Sequence, residues 1–139
     1  MSYGASSTMM TVDSIAVMGG RPANFSDIAG GANADNIYAH AKLILEKSDK
    51  NPEVKAVLIT LTLVAHSMKL SIDAIIKAIK EVRPRNIKLV ANVRAAGAAK
   101  KEMDVDGAKA ALTAAGVIWL DSLENAIKKC IHVSGREWN

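Results

Sequence analysis

The sequence predicts an α/β fold of three layers, in which helices cover both faces of a parallel sheet. Aliphatic runs alternate with helical patterns along the 139 residues, as they do in βαβ units. Two of these runs, 55–63 and 87–93, are rich in Val, Ile and Leu throughout, which is typical of strands buried on both faces. Half of the residues are hydrophobic but only 4% are aromatic, so we expect an aliphatic core.

The chain is predicted to begin with a helix and a short strand. The pattern over 7–18 predicts the helix, and the glycine pair at 19–20 ends it, because glycine readily adopts the left-handed conformation past a helix C-terminus. Residues 23–28 are predicted to form the strand. Gly30 and Gly31 then form a turn into the next helix.

Two amphipathic helices flank the predicted strand at 55–63. Asn33 or Asp35 caps the first, since a short polar side chain can accept a hydrogen bond from the first-turn amides. The second helix ends before Pro84. Their apolar residues recur at helical spacing: Ile37, Ala41, Ile44 and Leu45 in the first, and Ile72, Ile75, Ile76 and Ile79 in the second.

The last third of the chain adds two helices and two strands. An Ala- and Lys-rich loop at 95–103 follows the strand at 87–93. The next helix ends at Gly116, a short strand covers 117–120, and Ser122 caps the final helix. The predicted elements are therefore four strands and five helices, beginning with a helix.

Beginning with a helix is unusual for a doubly wound sheet. In the flavodoxin-like order 2-1-3-4-5, the first strand lies near the centre of the sheet. We therefore expect a flavodoxin-like sheet of about four strands that lacks its first strand. Unpaired backbone groups would then favour a homo-oligomer or a partner subunit, although the strands could also re-pair or the N-terminus could be trimmed. One domain over 1–134 and a flexible tail at 135–139 account for the length.

Composition excludes several functional classes. The net charge is +4, but the lysines are spread over helices instead of forming the patch that nucleic-acid binding needs. No apolar run approaches the roughly 20 residues that cross a membrane, and the N-terminus does not resemble a secretory signal. The single cysteine, Cys130, fits a reducing compartment, so we expect a cytoplasmic or organelle-matrix location.

A glycine-rich motif carries a family resemblance. Residues 19–32 read G-G-R-P-A-N-F-S-D-I-A-G-G-A, and upstream positions from Gly4 to Ile15 fit the same pattern. The segment resembles the C-terminal ligase domain of the succinyl-CoA synthetase β subunit and ATP-citrate lyase, the CoA-ligase domain. The order of the following elements matches over nearly the whole chain, including a V-R-x-x-G stretch that ends at Gly97.

The resemblance implies a binding site for a carboxylate or phosphate. Its residues would be Asn24, Gly30, Gly31, Arg94 and Gly97. A glycine turn before a helix can cradle an anion, although two glycines can equally form a tight turn. Arg94 would bind a substrate carboxylate, as the matching arginine does in citrate lyases; the alternative is a surface ion pair. No catalytic residue and no metal site can be identified.

The sequence also departs from the family pattern. Leu63 and Val64 replace a glycine pair that brings backbone amides close to the phosphorylated histidine of the partner subunit. Ala96 and Ala98 replace polar residues of an R-L-E-G-T-N stretch, and Ala29 replaces the first glycine of a triplet. The anion site is therefore expected to be partly lost.

Other chemically capable side chains have simpler interpretations. His66 lies beside the replaced glycine pair, and the family's phosphorylated histidine is on the other subunit, so His66 is not expected to inherit that role. His40 and His132 are mid-helix without metal-ligand spacing. Cys130 falls on an apolar helix face, and Asp27 is expected to bind loop amides.

Two functions remain open at this stage. The first is a stand-alone CoA-ligase-type domain that contributes the carboxylate and phosphohistidine pocket to a multi-chain enzyme acting on a di- or tricarboxylate. It would bind no cofactor alone; CoA and ATP or GTP would be on a CoA-binding or ATP-grasp partner subunit. The second is a catalytically degenerate binding or assembly module that retains the family's subunit interface.

Overall fold

The computed structural model describes residues 1–28 and 33–136. Four parallel strands form one sheet in the order β1-β2-β3-β4, with helices on both faces. The three-layer α/β prediction is thus confirmed. In chain order the elements are β1 (Ser2–Tyr3), α1 (Ala5–Val17), α2 (Ala34–Lys50), β2 (Ala56–Leu63), α3 (Met68–Val82), β3 (Lys88–Ala95), a 3-10 turn (Gly97–Lys100), α4 (Val105–Ala114), β4 (Ile118–Trp119) and α5 (Leu123–Val133).

Strands β2 and β3 form the centre of the sheet. All eight residues of each strand are paired in parallel, from Ala56 opposite Lys88 to Leu63 opposite Ala95. Ile59 lies in the apolar cluster against α2, α3 and α4, whereas Leu58 lies in the cluster against α5. Alternate residues of one strand therefore pack into two apolar clusters on opposite faces of the sheet, as the continuous aliphatic runs predicted.

The predicted helix caps hold the helices in place. The side chain of Asn33 accepts a hydrogen bond from the Asn36 amide at 2.9 Å, and Ser122 accepts one from the Asn125 amide at 3.1 Å. Asp49, near the end of α2, accepts from the Arg85 and Asn86 amides at 2.8 and 2.7 Å. These bonds fix α2 to the loop that enters β3.

The start of the chain differs from the prediction. The chain begins with a strand, not a helix: Ser2 pairs with Thr60 and Tyr3 pairs with Leu61. This strand lies beside β2 at the position of the first strand in the 2-1-3-4-5 order, so the expectation that it is lacking was wrong. Two residues are too few for a period-two pattern, which is why the sequence did not reveal them.

The predicted strand at 23–28 is reduced to one bridge, between Asp27 and Ser2. The preceding residues, 23–26, have no regular structure. The Asp27 carboxylate accepts a hydrogen bond from the Gly4 amide at 2.7 Å. A side chain therefore binds a backbone amide that a neighbouring strand backbone would otherwise bind. This contact confirms the expected amide-binding role of Asp27. The 95–103 segment, expected to be a loop, contains the 3-10 turn.

Two expected features lie outside the described residues. The turn at Gly30 and Gly31 is one of them. The tail expected over 135–139 is described only as far as Arg136, after α5 ends at Val133. Within the described part of the chain, no helix combines the length and apolarity needed to cross a membrane.

The N-terminal amine is buried beside β2. It donates a hydrogen bond to the Leu58 carbonyl at 2.8 Å, and the Met1 carbonyl accepts from the Thr60 amide at 3.0 Å. Burial lowers the pKa of this amine from 8.0 to about 6. The folded protein therefore favours the uncharged amine near neutral pH.

This burial predicts a pH-dependent stability. Between pH 6.5 and 8 the unfolded chain binds more protons at Met1 than the folded chain, so the free energy of unfolding should rise by about 1.5 kcal/mol over this range. Urea unfolding of protein whose intact mass confirms Met1 measures this rise. The Nα-acetylated protein keeps the N–H donor but cannot titrate, and its curve should be flatter by that amount; equal slopes would contradict a buried amine.

Candidate functional site

The carboxyl edge of the sheet brings together the ends of three strands. Tyr3 pairs with Leu61, and one residue further along Thr62 pairs with Arg94, so Gly4, Thr62 and Arg94 lie in neighbouring positions. Open parallel sheets bind ligands outside this edge. The register of the sheet therefore places Arg94 where a ligand would enter.

Arg94 is exposed at this edge and is held by a neutral partner. Its Nη2 donates to Thr62 Oγ1 at 3.3 Å. Within residues 1–28 and 33–136, no carboxylate forms an ion pair with Arg94. The surface ion pair that was the alternative for this residue is thus not formed there. A guanidinium with remaining N–H donors can bind a carboxylate in a bidentate manner.

Gly97 begins the 3-10 turn that follows β3. Its φ angle is +57°, in the left-handed region that glycine tolerates best. The turn docks onto the end of β2: the Ala96 amide donates to the Leu63 carbonyl at 2.9 Å and the Ala99 amide donates to the Val64 carbonyl at 3.1 Å. Gly97 thereby fixes the loop next to Arg94.

Leu63 and Val64 shape the other side of this edge. Leu63 is buried in the core, whereas the side chain of Val64 is 62% exposed. Among the described residues, Arg83 is the one non-glycine residue with a positive φ, so neither Leu63 nor Val64 takes the left-handed conformation. The backbone of this pair therefore does not have the left-handed conformation that a glycine pair could adopt.

A carboxylate lies at the N-terminus of α3. Ser67 caps this helix by accepting from the Leu70 amide at 3.3 Å, and its hydroxyl donates to Glu102 Oε2 at 3.2 Å. The N-terminus of a helix carries partial positive charge, which stabilises a nearby anion. Glu102 supplies such an anion from within the chain, and its charge would repel a second one.

Asn24 is the other predicted site residue within the described part of the chain, and it does not lie at the carboxyl edge. Asn24 is exposed and lines a cleft together with Lys55 and Ala56, at the amino end of β2. Gly30 and Gly31 lie outside the described residues. The structure therefore groups Arg94 with Gly97 and places Asn24 at the opposite end of the strands.

A partly buried polar cluster beside β1 was not predicted as a unit. Ser26 Oγ and His40 Nε2 form a short hydrogen bond, and the rings of Tyr3 and His40 are 6.3 Å apart. Burial lowers the pKa of His40 and raises that of Tyr3. His40 follows Ile37 by three positions on the buried face of α2, and this spacing was the available signal.

Metal and thiol chemistry are not supported by the described residues. No group of three or more His, Cys, Asp or Glu side chains is placed to hold a metal ion in that part of the chain. Cys130 packs at the edge of the α5 cluster, and burial raises the pKa of its thiol to about 12. A thiol protonated at neutral pH is a poor nucleophile, which fits a packing role.

Comparison with known proteins identifies the family. The family model described as CoA-ligase matches residues 1–133. The chain is 34% identical over 131 residues to the β subunit of the ADP-forming succinate–CoA ligase of Myxococcus xanthus (strain DK1622), covering 94% of this chain and 31% of the relative. The corresponding subunit of Ignicoccus hospitalis (strain KIN4/I) is 31% identical over 135 residues, covering 94% and 32%.

The fold is also similar to that of a solved structure. ATP citrate lyase from Methanothrix soehngenii, in complex with citrate and coenzyme A, superposes with a TM-score of 0.75 at 16% identity, covering 95% of this chain and 35% of the lyase chain. The α/β domain thus shares its fold with part of this lyase chain. The chain belongs to the CoA-ligase family, and it spans about a third of the length of these relatives.

The left-handed turn at Gly97 makes a testable prediction. A Cβ at this position would lie 3.7 Å from the Val64 carbonyl oxygen, which is ordinary contact, so the cost of Gly97→Ala comes from φ alone. We expect a loss of about 1 kcal/mol in the free energy of unfolding. Gly97→Asn should lose clearly less, because asparagine tolerates this conformation; equal losses in denaturant unfolding would refute the explanation.

Proposed function

We propose that this chain supplies the carboxylate-binding part of a multi-chain acid–CoA ligase or citrate lyase. Arg94 carries the proposal, because its guanidinium is exposed at the carboxyl edge and is held by the neutral Thr62 hydroxyl. The relatives support the proposal because they are β subunits of succinate–CoA ligases. A lyase solved in complex with citrate and coenzyme A has a similar fold.

The chemistry of the edge suits a small polycarboxylate. The Thr62 hydroxyl accepts a hydrogen bond from one N–H of Arg94. The other N–H groups of the guanidinium could donate to an incoming carboxylate. The turn that begins at Gly97 is held against β2 by the hydrogen bond from the Ala99 amide to the Val64 carbonyl. A di- or tricarboxylate could bind here through one carboxylate and present another to a neighbouring subunit.

The other substrates would bind to partner chains. The chain covers 31% of the length of the Myxococcus relative, so most of that subunit has no counterpart in these 139 residues. We propose that CoA and ATP or GTP bind to partner subunits and that the chain binds no cofactor alone. A shared cytoplasmic or organelle-matrix location would fit this assembly.

Substitution of Arg94 tests the carboxylate site. Heteronuclear NMR titration with citrate and with succinate should shift the amides of Thr62 and Arg94 in the unmodified chain. Arg94→Gln should weaken binding at least tenfold, because the bidentate charge-assisted pair is lost. Arg94→Lys, which keeps the charge without the planar fork, should fall between the two.

Arg85→Gln is the matched control, because Arg85 is exposed in a loop that Asp49 holds through the backbone amide. This variant should bind citrate like the unmodified chain. Equal binding by the Arg94→Gln variant and the control would mean that no carboxylate is bound by Arg94.

A catalytically degenerate assembly module is the second candidate. The contact between Glu102 and Ser67 favours it, because a carboxylate already lies at the N-terminus of α3. A phosphorylated histidine approaching this helix would meet like charge and the bulky Val64 side chain. In this case the chain would keep the subunit interface without taking part in phosphoryl transfer.

Neutralising Glu102 separates the two candidates. If Glu102 blocks an otherwise functional anion site, Glu102→Gln should strengthen the binding of inorganic phosphate or phosphohistidine analogues at Ser67 and Leu70 by roughly tenfold. Glu124→Gln, a charge-matched control on α5, should change nothing there. If neither variant binds phosphate in an NMR titration, the degenerate module is favoured.

A further inference from the structure

Helix α1 exposes a group of large apolar side chains. Met9, Met10 and Val17 are 57%, 49% and 78% exposed. Together with Phe25 they make up four of the seven exposed large hydrophobic residues in the described part of the chain. Single exposed apolar side chains are common on proteins, whereas a contiguous group marks an interaction site. The clustering on α1 therefore indicates a surface that another molecule covers.

The exposed residues of α1 share one side of the helix. Met9 and Ala16 are seven positions apart, as are Met10 and Val17, so each pair is aligned over two helical turns. Asp13 lies three or four positions from all of them, at the centre of the stripe. We call this stripe the α1 outer face, and its members, all exposed, are Met9, Met10, Asp13, Ala16 and Val17.

The opposite side of α1, which faces the sheet, is partly polar. Thr8 and Thr11 are buried, and their hydroxyls donate to backbone carbonyls one turn earlier at 3.1 and 2.7 Å. Ile15, on the same side, packs at the edge of the α5 cluster. A surface helix ordinarily buries its apolar side and exposes its polar side. Because α1 buries hydroxyl groups and exposes methionines, its amphipathic pattern fits burial on both sides.

The segment after α1 adds apolar surface beside the helix. The Gly20 amide donates to the Ile15 carbonyl at 2.8 Å, near the end of α1. The Asp27 carboxylate accepts from the Gly4 amide at 2.7 Å, at the start of α1. The segment therefore runs back along the helix, and Phe25, two residues before Asp27, lies next to its first turns. The exposed apolar surface thus extends beyond α1 itself.

The charge of Asp13 limits what can cover the α1 outer face. None of the ion pairs within residues 1–28 and 33–136 involves Asp13. A helix that packs along the outer face would place its own central residue opposite this carboxylate. An apolar residue there would leave the buried carboxylate unpaired, whereas a lysine or arginine would neutralise it. The covering helix therefore needs a basic residue at the centre of its apolar side.

The position of Asp13 disfavours a second copy of this chain as the occupant. In a two-fold pairing, each copy presents the same surface to the other, so the central residues of the two surfaces meet. Two α1 helices that pack through their outer faces would bring two Asp13 carboxylates together, and like charges repel. A polypeptide with the opposite central charge is the complementary occupant.

We propose that the α1 outer face binds an amphipathic α-helix of a partner polypeptide, with a lysine or arginine at the centre of its apolar side. Its apolar residues lie three and four positions on either side of this basic residue. From Met9 to Val17 the outer face is about 12 Å long, so roughly three turns of the partner helix cover it. The proposal does not depend on carboxylate binding at Arg94.

A set of stapled peptides tests the proposal. The probe is fluorescein-Ala-Gln-Leu-Leu-Xaa-Ala-Lys-Ala-Xaa-Leu-Leu-Gln-Ala, in which a hydrocarbon staple joins the two Xaa positions on the side away from the leucines and keeps the short peptide helical. Two further peptides carry glutamine or glutamate in place of the central lysine. Fluorescence anisotropy should show that the lysine peptide binds roughly tenfold more tightly than the glutamate peptide.

Charge reversal on the protein gives the matching test. Asp13→Lys should reverse the order, so that the glutamate peptide binds more tightly than the lysine peptide. Asp106→Lys is the control, because Asp106 is an exposed carboxylate on α4, and this variant should keep the original order. A reversal that is confined to Asp13→Lys places the basic residue of the helix opposite Asp13.

Apolar variants locate the bound helix. Met10→Glu and Val17→Glu should each weaken the lysine peptide at least tenfold. Leu43→Glu is the control, because Leu43 is 53% exposed on α2, outside the outer face, and this variant should bind normally. In NMR spectra the amides of Met9 and Asp13 should shift when the lysine peptide is added.

Three results would overturn the proposal. The first is the absence of amide shifts in α1 with any of the peptides at millimolar concentration. The second is equal binding of the lysine and glutamate peptides. The third is a dimer in sedimentation that Met10→Glu dissociates, which would assign the outer face to a second copy of this chain. Citrate titration reports on Arg94 alone, so failure of the carboxylate site would leave all three measurements unchanged.

Discussion

The parallel ladder between β2 and β3 is the interaction on which the structure depends. Eight consecutive residue pairs hold two aliphatic strands together, and their side chains supply both apolar clusters. The same register brings Arg94 beside Thr62 at the carboxyl edge. A shift of one residue would move every side chain of β2 to the opposite face and separate Thr62 from Arg94.

The contributions of sequence and tertiary context differ between elements. The runs that became β2 and β3 were predictable because they are long, aliphatic and buried on both faces. The helices were predictable from apolar spacing and from the caps at Asn33 and Ser122. By contrast, β1 is a strand only because Ser2 and Tyr3 pair with a neighbour distant in sequence, and local patterns carry no such information.

The candidate site was predictable only in part. Arg94 and Gly97 were found because a family motif ends a buried strand, and parallel strands expose their carboxyl ends together. Glu102 was not singled out, since nothing in a loop of mixed composition shows that its carboxylate meets Ser67. Asn24 is close to the predicted glycine turn in sequence, but it lines a cleft with Lys55 and Ala56 at the amino end of β2. A sequence motif shows which residues are close along the chain, whereas the pairing of the strands determines which of them are close in space.

At the carboxyl edge, the exposed guanidinium of Arg94 lies beside Thr62, and the Glu102 carboxylate lies at the N-terminus of α3. A crystal structure of the chain soaked with citrate tests the central claim most directly. The account predicts a citrate carboxylate bound in bidentate geometry to Arg94, next to Thr62. Citrate density only at sites away from Arg94, with the Arg94 guanidinium contacting solvent alone, would contradict it.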